Sequence, residues 1–362
     1  MHEQYILAAL DQAWLGRGAC APNPAVGAIA VRHGTIIAQA FHSGAGHAHA
    51  EQVLLSRLTG VCADVTLYVT LEPCNHWGRT APCVDALIER GVQRVVYAYR
   101  DPNPVVANNN TPARLQAAGV EVLHYPMAEV AAFYQSYTRW VRTGRPRVTV
   151  KMAQSLDGKI AGVNSAPVAL SNTTCALFTH QQRLHTDVIL TTAKTINQDN
   201  PRLDVRLPDQ CIKKTVAILD THNVMRADAA LAQTAQQCLV YCATKPANPR
   251  DNCEYHEVES TPDGLNLNSV FEHLGHLGYH DVWVEAGATL FNALHRAHLV
   301  SRTYLYVVPR VLGPQALSLH DVDAHWFEPN AGIKWRVMDD NGMVCIEFDN
   351  QGDNPQGLLG ED

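Results

Sequence analysis

The order of short apolar strands and amphipathic helices is the feature that most restricts the fold of this chain. Two apolar runs flank a His-Gly turn within Ala25–His42, and this arrangement predicts a β-hairpin. Three helix–strand pairs then follow, so the predicted order is ββαβαβαβ. Strands that alternate with helices usually form parallel sheets. We therefore expect an α/β domain with a mostly parallel sheet.

A second α/β pattern follows the first. The segment "MAEVAAFYQSYTRWVRTG" predicts one helix that ends at Gly144, and a new strand begins near Arg147. A chain of 362 residues is too long for one ordinary core, so two domains are expected. We place them at 1–145 and 146–350. Residues 351–362 are polar and Gly-rich and are expected to form a flexible tail.

Composition excludes several classes of protein. Hydrophobic residues make up 46% of the chain and charged residues 17%, which is typical of globular proteins. The net charge of −7 argues against nonspecific nucleic-acid binding. The N-terminal segment predicts an amphipathic helix that ends near Gly16 or Gly18, without the pattern of a signal peptide. No apolar run is long enough to span a membrane, so we expect a cytoplasmic protein.

Two separated segments carry the residues of a metal site. "GAGHAHAEQV" contains His47, His49 and Glu51, and "TLEPCNHWGRTAPC" contains Cys74 and Cys83, each preceded by a proline. One histidine and two thiolates form an open tetrahedral zinc site, in which the fourth position takes water and zinc lowers the pKa of that water. Zinc-dependent nucleobase deaminases use an H-x-E segment and a pair of cysteines in this way.

The residues alone leave two candidates for the histidine ligand. His47 lies four residues before Glu51, which is the spacing of neighbours on one helix face. This argument fails if the helix begins only near His49, and the glycines before His47 favour such a late start.

The longer cysteine spacing, together with "PNPAVG" and "DPNP", resembles the deaminase domain of the bifunctional deaminase/reductase of riboflavin biosynthesis. The resemblance covers roughly residues 1–145 and implies that His49 is the zinc ligand. It implies that Glu51 moves a proton from water to the departing amine. It also implies a set of polar substrate contacts, namely Asn23, His42, His76, Arg79, Asp101 and Asn103. Ordinary turn chemistry is the alternative explanation for Asn23 and Asp101.

The second domain resembles the reductase half of the same family, whose fold is similar to that of dihydrofolate reductase. "VKMAQSLDGKIA" and "VEAGATL" carry this resemblance. It implies an NADPH site formed by Ala153, Asp157, Thr195, Asp199, Gly287, Ala288, Thr289 and Leu290. It implies substrate contacts from Arg183, Leu203, Arg206 and Glu285. Exposure on a solvated surface is the alternative explanation for Arg183 and Arg206. Glu285 ends an apolar strand, and a buried carboxylate would need a partner.

One segment departs from the family pattern. An ungapped alignment places Pro167, Ala169 and Ala176 where relatives have a serine, a tryptophan and an arginine. We expect NADPH to bind more weakly than it does in relatives that have the tryptophan, and Phe178 or another aromatic residue to fill part of the gap.

These observations predict a zinc- and NADPH-dependent enzyme of riboflavin synthesis with a small-molecule substrate. The first alternative is a deaminase whose second domain is a degenerate scaffold. The second is a nucleic-acid-binding or editing protein on a deaminase fold, which would need a basic, aromatic-rich groove. The third is a structural zinc module, for which His76 is the nearby fourth ligand. Oligomeric state stays open, and a homo-oligomer is one of the alternatives.

Overall fold

The computed structural model describes residues 2–77, 81–107, 110–320 and 332–348. The described chain divides into two compact units, the first ending at Gly144 and the second beginning at Arg145. None of the described helices is both long and apolar enough to cross a membrane.

The first unit contains seven helices and five strands within the described residues. The helices are α1 (His2–Gly16), α2 (Ala50–Ser56), α3 (Cys83–Glu89), α4 (Pro104–Ala107), α5 (Thr111–Ala117), α6 (Ala128–Phe133) and α7 (Gln135–Thr143). The strands are β1 (Gly27–Arg32), β2 (Thr35–Phe41), β3 (Val65–Leu71), β4 (Arg94–Tyr99) and β5 (Glu121–His124).

The strands of this unit form one sheet in the order β2-β1-β3-β4-β5. Strand β1 is antiparallel to both of its neighbours, while β3, β4 and β5 are parallel. The predicted hairpin is formed by β1 and β2. His33 and Gly34 at its turn have φ values of 48° and 79°. Two consecutive residues with positive φ match a type I′ turn, which follows the twist of the paired strands.

Alternate residues of the strands belong to two apolar clusters, one on each face of the sheet. Ala28, Leu67 and Val69 belong to one apolar cluster, which includes residues of α2, α3 and α5. Ile29 and Tyr68 belong to the other, which includes residues of α1, α6 and α7. Because successive side chains of a strand point to opposite faces, one sheet supports helices on both sides.

Two helix ends in this unit bear on the predictions. Helix α1 ends at Gly16, one of the two expected positions. A Cβ atom at Gly16 would lie 2.5 Å from the carbonyl oxygen of His42, so glycine permits this close approach. The prediction of a single helix before Gly144 is wrong, because the segment forms two helices, α6 and α7, that are separated at Tyr134. The buried hydroxyl of Tyr134 bonds with the Thr70 side chain and donates to the Ala25 carbonyl oxygen.

The second unit contains five helices, one short 3₁₀ turn (Val163–Ser165) and fifteen strands among the residues described. The helices are α8 (Thr173–His185), α9 (Ala193–Asp199), α10 (Leu231–Thr234), α11 (Leu267–His276) and α12 (Ala288–Arg296). The strands of the large sheet are β6 (Arg147–Ser155), β8 (Val188–Thr192), β11 (Thr215–Leu219), β12 (Gln237–Cys242), β13 (Cys253–Glu257), β16 (Asp281–Glu285), β17 (Arg302–Val308), β19 (Gly332–Met338) and β20 (Asn341–Glu347). The short strands are β7 (Lys159–Ala161), β9 (Val205–Leu207), β10 (Gln210–Ile212), β14 (Ser260–Thr261), β15 (Gly264–Leu265) and β18 (Leu317–Ser318).

The large sheet has the order β13-β12-β11-β8-β16-β6-β17-β20-β19. Neighbours from β13 to β17 are parallel, and β20 and β19 add an antiparallel hairpin at one edge. Apolar clusters pack on both faces, one including residues of α11 and α12 and the other residues of α8 and α9. This is the second α/β unit that the sequence pattern predicts.

Candidate functional site

Three side chains from separate parts of the first unit form a compact cluster. His49 precedes α2, Cys74 follows β3, and Cys83 is the first residue of α3. The Nδ1 atom of His49 lies 3.3 Å from the Cys83 sulfur and 3.5 Å from the Cys74 sulfur. All three ligand atoms lie within 4.8 Å of one another, which is the separation expected of atoms around one ion. The donor set, one imidazole and two thiols, fits zinc.

The two histidines of the H-A-H segment have different positions. Helix α2 begins at Ala50, so the late start favoured by the preceding glycines is observed. His49 therefore lies at the helix boundary and faces the cysteines, while His47 is exposed and does not belong to the cluster. The helical spacing argument for His47 is wrong because residues 47–49 are not helical.

The two cysteines of the cluster differ in their acidity. A hydrogen bond from the Cys83 side chain, helped by His49, lowers the pKa of Cys74 to about 4. The same contact with Cys74, together with burial, raises the pKa of Cys83. A Cys74 thiolate beside the His49 imidazole is a ready pair of ligands, and binding of a dication favours loss of the second thiol proton.

Glu51 is buried beside the cluster. It lies in the first turn of α2 and only 4% of its surface is exposed. Burial, followed by the nearby Cys74, raises the pKa of Glu51 to about 7. A carboxyl group with this pKa can both accept and release a proton near neutrality, as a general acid–base catalyst must do.

Two of the predicted substrate contacts lie next to the cluster. The rings of His42 and His49 are 5.4 Å apart, and the Nδ1 atom of His42 lies 3.1 Å from the carbonyl oxygen of Ala48. That carbonyl can only accept, so His42 donates through Nδ1 and its Nε2 atom accepts from Asn23 at 3.1 Å. The hydrogen bond orients the Asn23 amide, and burial lowers the pKa of His42.

The remaining predicted contacts of the first unit follow β3 and β4. Asp101 is buried, and this burial raises its pKa to about 6. Its Oδ1 atom accepts from the backbone N–H of Asn103 at 2.9 Å. The Nδ1 atom of His76 is buried and has no hydrogen-bond partner among the described residues. Arg79 lies outside the described residues.

The second unit contains a large cavity of about 1130 Å³. It is lined by nine of the twelve residues that the sequence assigns to the reductase site, namely Ala153, Thr195, Asp199, Leu203, Glu285, Gly287, Ala288, Thr289 and Leu290. Its wall includes the first turn of α12, whose backbone N–H groups can bind a phosphate. A Cβ atom at Gly287 would meet nothing within 4 Å, so the space beside this turn is open. The volume and the helix end fit a phosphorylated dinucleotide.

The other three predicted residues do not line this cavity. Asp157 accepts from the backbone N–H groups of Leu312 and Gly313, at 3.1 and 2.8 Å from its two oxygens. These bonds, together with one from Ser155, lower the pKa of Asp157 to about 2. Arg206 binds the carboxylate of Asp204. Asp157 therefore holds the distant turn at residues 312–313, whereas Arg206 pairs with a residue two positions before it in the chain.

Arg183 is the third residue outside the cavity wall, and it provides the partner that a buried Glu285 needs. Its Nε atom lies 2.6 Å from Glu285 Oε1, and a second guanidinium nitrogen lies 3.0 Å from Oε2. Trp283 also donates to Glu285, at 2.8 Å. Burial opposes ionisation of Glu285, but Arg183 outweighs it and holds the pKa at about 2. Glu285 is therefore a fixed negative charge at the cavity wall.

Lys151 also lines the cavity, and sequence reasoning missed it. It pairs with Glu285 in the register of β6 and β16, and its ammonium lies 5.2 Å from the centre of the Tyr306 ring. Burial lowers the pKa of Lys151, and Glu285 opposes this effect. A lysine in the middle of the predicted strand "RVTVKMA" is the signal that would have indicated it, because a buried cation requires a partner.

The segment that departs from the family pattern partly lines the cavity. Val168, Ala169 and Leu170 are in the wall, whereas Pro167 and Ala176 are not. Phe178, which was expected with other aromatic residues to fill part of the gap, does not line the cavity, and its ring packs edge-on against Tyr304 with the centroids 5.0 Å apart. None of the described residues in the cavity wall is a phenylalanine, tyrosine or tryptophan.

Comparison with known proteins agrees with this division of the chain. The model of the cytidine and deoxycytidylate deaminase zinc-binding region matches residues 1–99, and that of the RibD C-terminal domain matches residues 146–325. The riboflavin biosynthesis protein RibD of Escherichia coli is 34% identical over 88% of this chain and 90% of its own length. RibD of Mycobacterium tuberculosis is also 34% identical, over 87% of each chain.

Solved structures show the same similarity. RibD of Acinetobacter baumannii superposes with a TM-score of 0.82 at 27% identity, covering 96% of this chain and 98% of its own. The diaminohydroxyphosphoribosylaminopyrimidine deaminase/5-amino-6-(5-phosphoribosylamino)uracil reductase of Thermotoga maritima gives the same TM-score and coverage at 28% identity.

These matches confirm the predicted fold class, an N-terminal cytidine-deaminase-like unit followed by a dihydrofolate-reductase-like unit. They also confirm the predicted combination of a hydrolase and an oxidoreductase with Zn²⁺ and NADPH as cofactors. The chain belongs to the RibD family of riboflavin biosynthesis proteins and is a bifunctional deaminase and reductase.

Proposed function

We propose that residues 1–145 hydrolytically deaminate a phosphoribosylated diaminopyrimidine and that residues 146–350 reduce the ribosyl group of the product to ribityl. The observation that carries the first step is the His49–Cys74–Cys83 cluster with Glu51 buried beside it. The substrates named for the Thermotoga maritima relative support this choice of pyrimidine.

The first unit contributes metal ligands and a proton carrier to the proposed deamination. When bound by His49, Cys74 and Cys83, zinc supplies a Lewis acid that makes a water molecule acidic near neutral pH. Glu51 accepts a proton from that water and delivers it to the departing amine. Its burial suits this role, because the pKa of about 7 lets one carboxyl group hold and release the proton.

The proposed substrate contacts divide by chemistry. Asn23 and Asp101 meet the polar edge of the pyrimidine, with His42 fixing the Asn23 amide and Asn103 fixing the loop of Asp101. We assign His76 and Arg79 to the phosphate, since an imidazole and a guanidinium both donate to phosphate oxygens.

The second unit contributes the cavity to the proposed reduction. When bound in this cavity, NADPH would supply the hydride that the reduction of the sugar requires. We assign the cofactor to Ala153, Thr195, Asp199 and the turn at residues 287–290, where the N-terminus of α12 holds a phosphate. We assign the sugar to the part of the cavity wall that Leu203, Glu285 and Lys151 form. The proposal omits Asp157, Arg183 and Arg206, since their charged groups bind other parts of the protein.

None of the described residues in the cavity wall carries a large aromatic side chain, which agrees with the weaker NADPH binding expected from the sequence. The deciding experiment supplies the diaminopyrimidine phosphate and NADPH and follows ammonia release and NADPH oxidation separately. Both signals support the proposal, ammonia release without NADPH oxidation rejects the proposed reduction, and neither signal rejects the proposed substrate.

We also propose that the protein acts in the cytoplasm and does not bind nucleic acid. All ten cysteines are free thiols in the structure, which suits a reducing compartment. The net charge of −7 opposes association with a polyanion. Filter binding to RNA at moderate salt tests the second statement, and saturable retention would favour an editing or nucleic-acid-binding protein.

A further inference from the structure

Tyr137 connects two of the proposed substrate contacts. It lies on α7, and only 5% of its surface is exposed. Its hydroxyl donates to Asp101 Oδ1 at 3.2 Å. The side-chain amide of Asn103 makes a hydrogen bond to the same hydroxyl. A carboxylate can only accept, so the chain of donors runs from Asn103 through Tyr137 to Asp101.

The hydrogen bonds of Asp101 fix one particular oxygen. The backbone N–H of Asn103 and the hydroxyl of Tyr137 both donate to Oδ1. Asp101 is 7% exposed, so its carboxyl group depends on the protein for most of its hydrogen bonds. The nearby carboxyl of Glu72 disfavours the charged form of Asp101, and the hydrogen bond from Tyr137 favours it. Removal of that donor would therefore affect both the orientation of Asp101 and its charge.

We propose that Tyr137 is a positioning residue for substrate recognition in the deaminase unit. This inference rests on the proposed function, in which Asp101 meets the pyrimidine edge. Tyr137 and the Asn103 backbone hold Oδ1, so Oδ2 is the oxygen that accepts from the N–H groups of the substrate. Tyr137 itself does not contact the reacting atoms, so it acts on substrate affinity and not on the chemical step.

A second buried tyrosine, Tyr99, provides a control that distinguishes a positioning role of Tyr137 from a purely structural one. Tyr99, at the end of β4, is as buried as Tyr137, and its hydroxyl bonds with the Thr138 side chain at 2.8 Å. This contact also joins β4 to α7 but does not touch Asp101 or Asn103. Each of the variants Tyr137→Phe and Tyr99→Phe removes one buried hydroxyl, and only the first removes a hydrogen bond to a proposed substrate contact.

The experiment measures steady-state deamination of the diaminopyrimidine phosphate by the full-length, zinc-loaded protein. For Tyr137→Phe we expect KM to rise about tenfold, which corresponds to about 1.4 kcal/mol. We expect kcat to change by less than about threefold, because an interaction equal in ground and transition states affects KM alone. Tyr99→Phe should keep the wild-type KM. Zinc content and reductase activity on the deaminated product show that each variant is folded and metal-loaded.

A double-mutant cycle with Asp101→Asn tests whether Tyr137 acts through Asp101. Addition of Tyr137→Phe to Asp101→Asn should raise KM much less than it does in the wild-type background. An unchanged KM in Tyr137→Phe would overturn the inference, as would equal increases in both tyrosine variants or additive effects in the cycle. A wild-type protein that releases no ammonia from this substrate would instead reject the proposed function, so the two failures are distinguishable.

Discussion

Replacement of Arg183 tests the interpretation of the buried ion pair. The side chains of Arg183 and Glu285 are 10% and 15% exposed, so solvent screens their interaction very little. Loss of one partner from a buried pair costs about 3–5 kcal/mol, because a charge is left uncompensated. Lys151 remains near Glu285 in an Arg183→Met variant. We therefore expect Arg183→Met to lower the free energy of unfolding of the second unit by an amount at the lower end of this range, about 3 kcal/mol.

The assay is calorimetric unfolding of the Arg183→Met variant. Roughly 2–4 °C per kcal/mol applies to a unit of this size, so the transition of the second unit should fall by about 6–12 °C. Added NADPH identifies that transition, because a ligand raises the unfolding temperature of the unit that binds it. Arg226→Met is the control, since the side chains of the Arg226–Asp228 pair are 35% and 73% exposed and solvent screens their interaction.

The pH dependence of the stability deficit of Arg183→Met gives a second test of the ion pair. The folded pKa of Glu285 is about 2, below its ordinary 4.5. A depressed pKa stabilises the fold above the ordinary value, and this contribution is lost as the pH falls towards 2. The deficit of Arg183→Met should shrink as the pH falls towards 2, because protonation of Glu285 in the variant removes the uncompensated charge while the wild-type pair stays ionised. A deficit no larger than that of Arg226→Met at pH 7 would show that the Arg183–Glu285 pair does not stabilise the second unit. A raised KM for reduction in a fully stable Arg183→Met variant would return Arg183 to the substrate site.

Three further predictions concern the metal, the proton carrier and the cofactor. His49→Ala should lose zinc while His47→Ala keeps one zinc per chain, and metal analysis giving the reverse would move the ligand to His47. Glu51→Gln should keep zinc but deaminate at least about a hundredfold more slowly, and near-normal ammonia release would remove Glu51 from the mechanism. Ala169→Trp should bind NADPH about tenfold more tightly in a fluorescence titration, because a stacked aromatic contributes roughly 1–3 kcal/mol. Unchanged affinity would show that residue 169 does not contact the cofactor.

The fold could be predicted from the sequence because local signals agree with the tertiary packing. The His33-Gly34 turn and the alternating strands and helices specify both sheets. The break at Tyr134 could not be predicted, since no glycine or proline marks it. The residue at the break is held by a tertiary contact, because the hydroxyl of Tyr134 bonds with Thr70 in a distant strand.

The candidate sites show the same contrast. The clustering of His49, Cys74 and Cys83 could be predicted because only a few residue types bind zinc, and their spacing is characteristic. The ion pair between Arg183 and Glu285 could not be predicted, because the two residues are 102 positions apart in the sequence. Either residue taken alone resembles a substrate contact. Likewise, the packing of Phe178 against Tyr304 depends on a strand far along the chain. Only the tertiary structure shows which protein side chain binds a predicted contact residue in place of a ligand.

We infer that one chain carries two separate active sites that act in sequence. The most direct measurement gives the zinc-loaded Glu51→Gln variant either the diaminopyrimidine phosphate or its deaminated product and follows NADPH oxidation. We predict oxidation at the wild-type rate with the deaminated product and almost none with the diaminopyrimidine, while the wild type oxidises NADPH with both. Failure of the wild type to oxidise NADPH with the deaminated product, or oxidation by the variant with both compounds at the wild-type rate, would contradict the account.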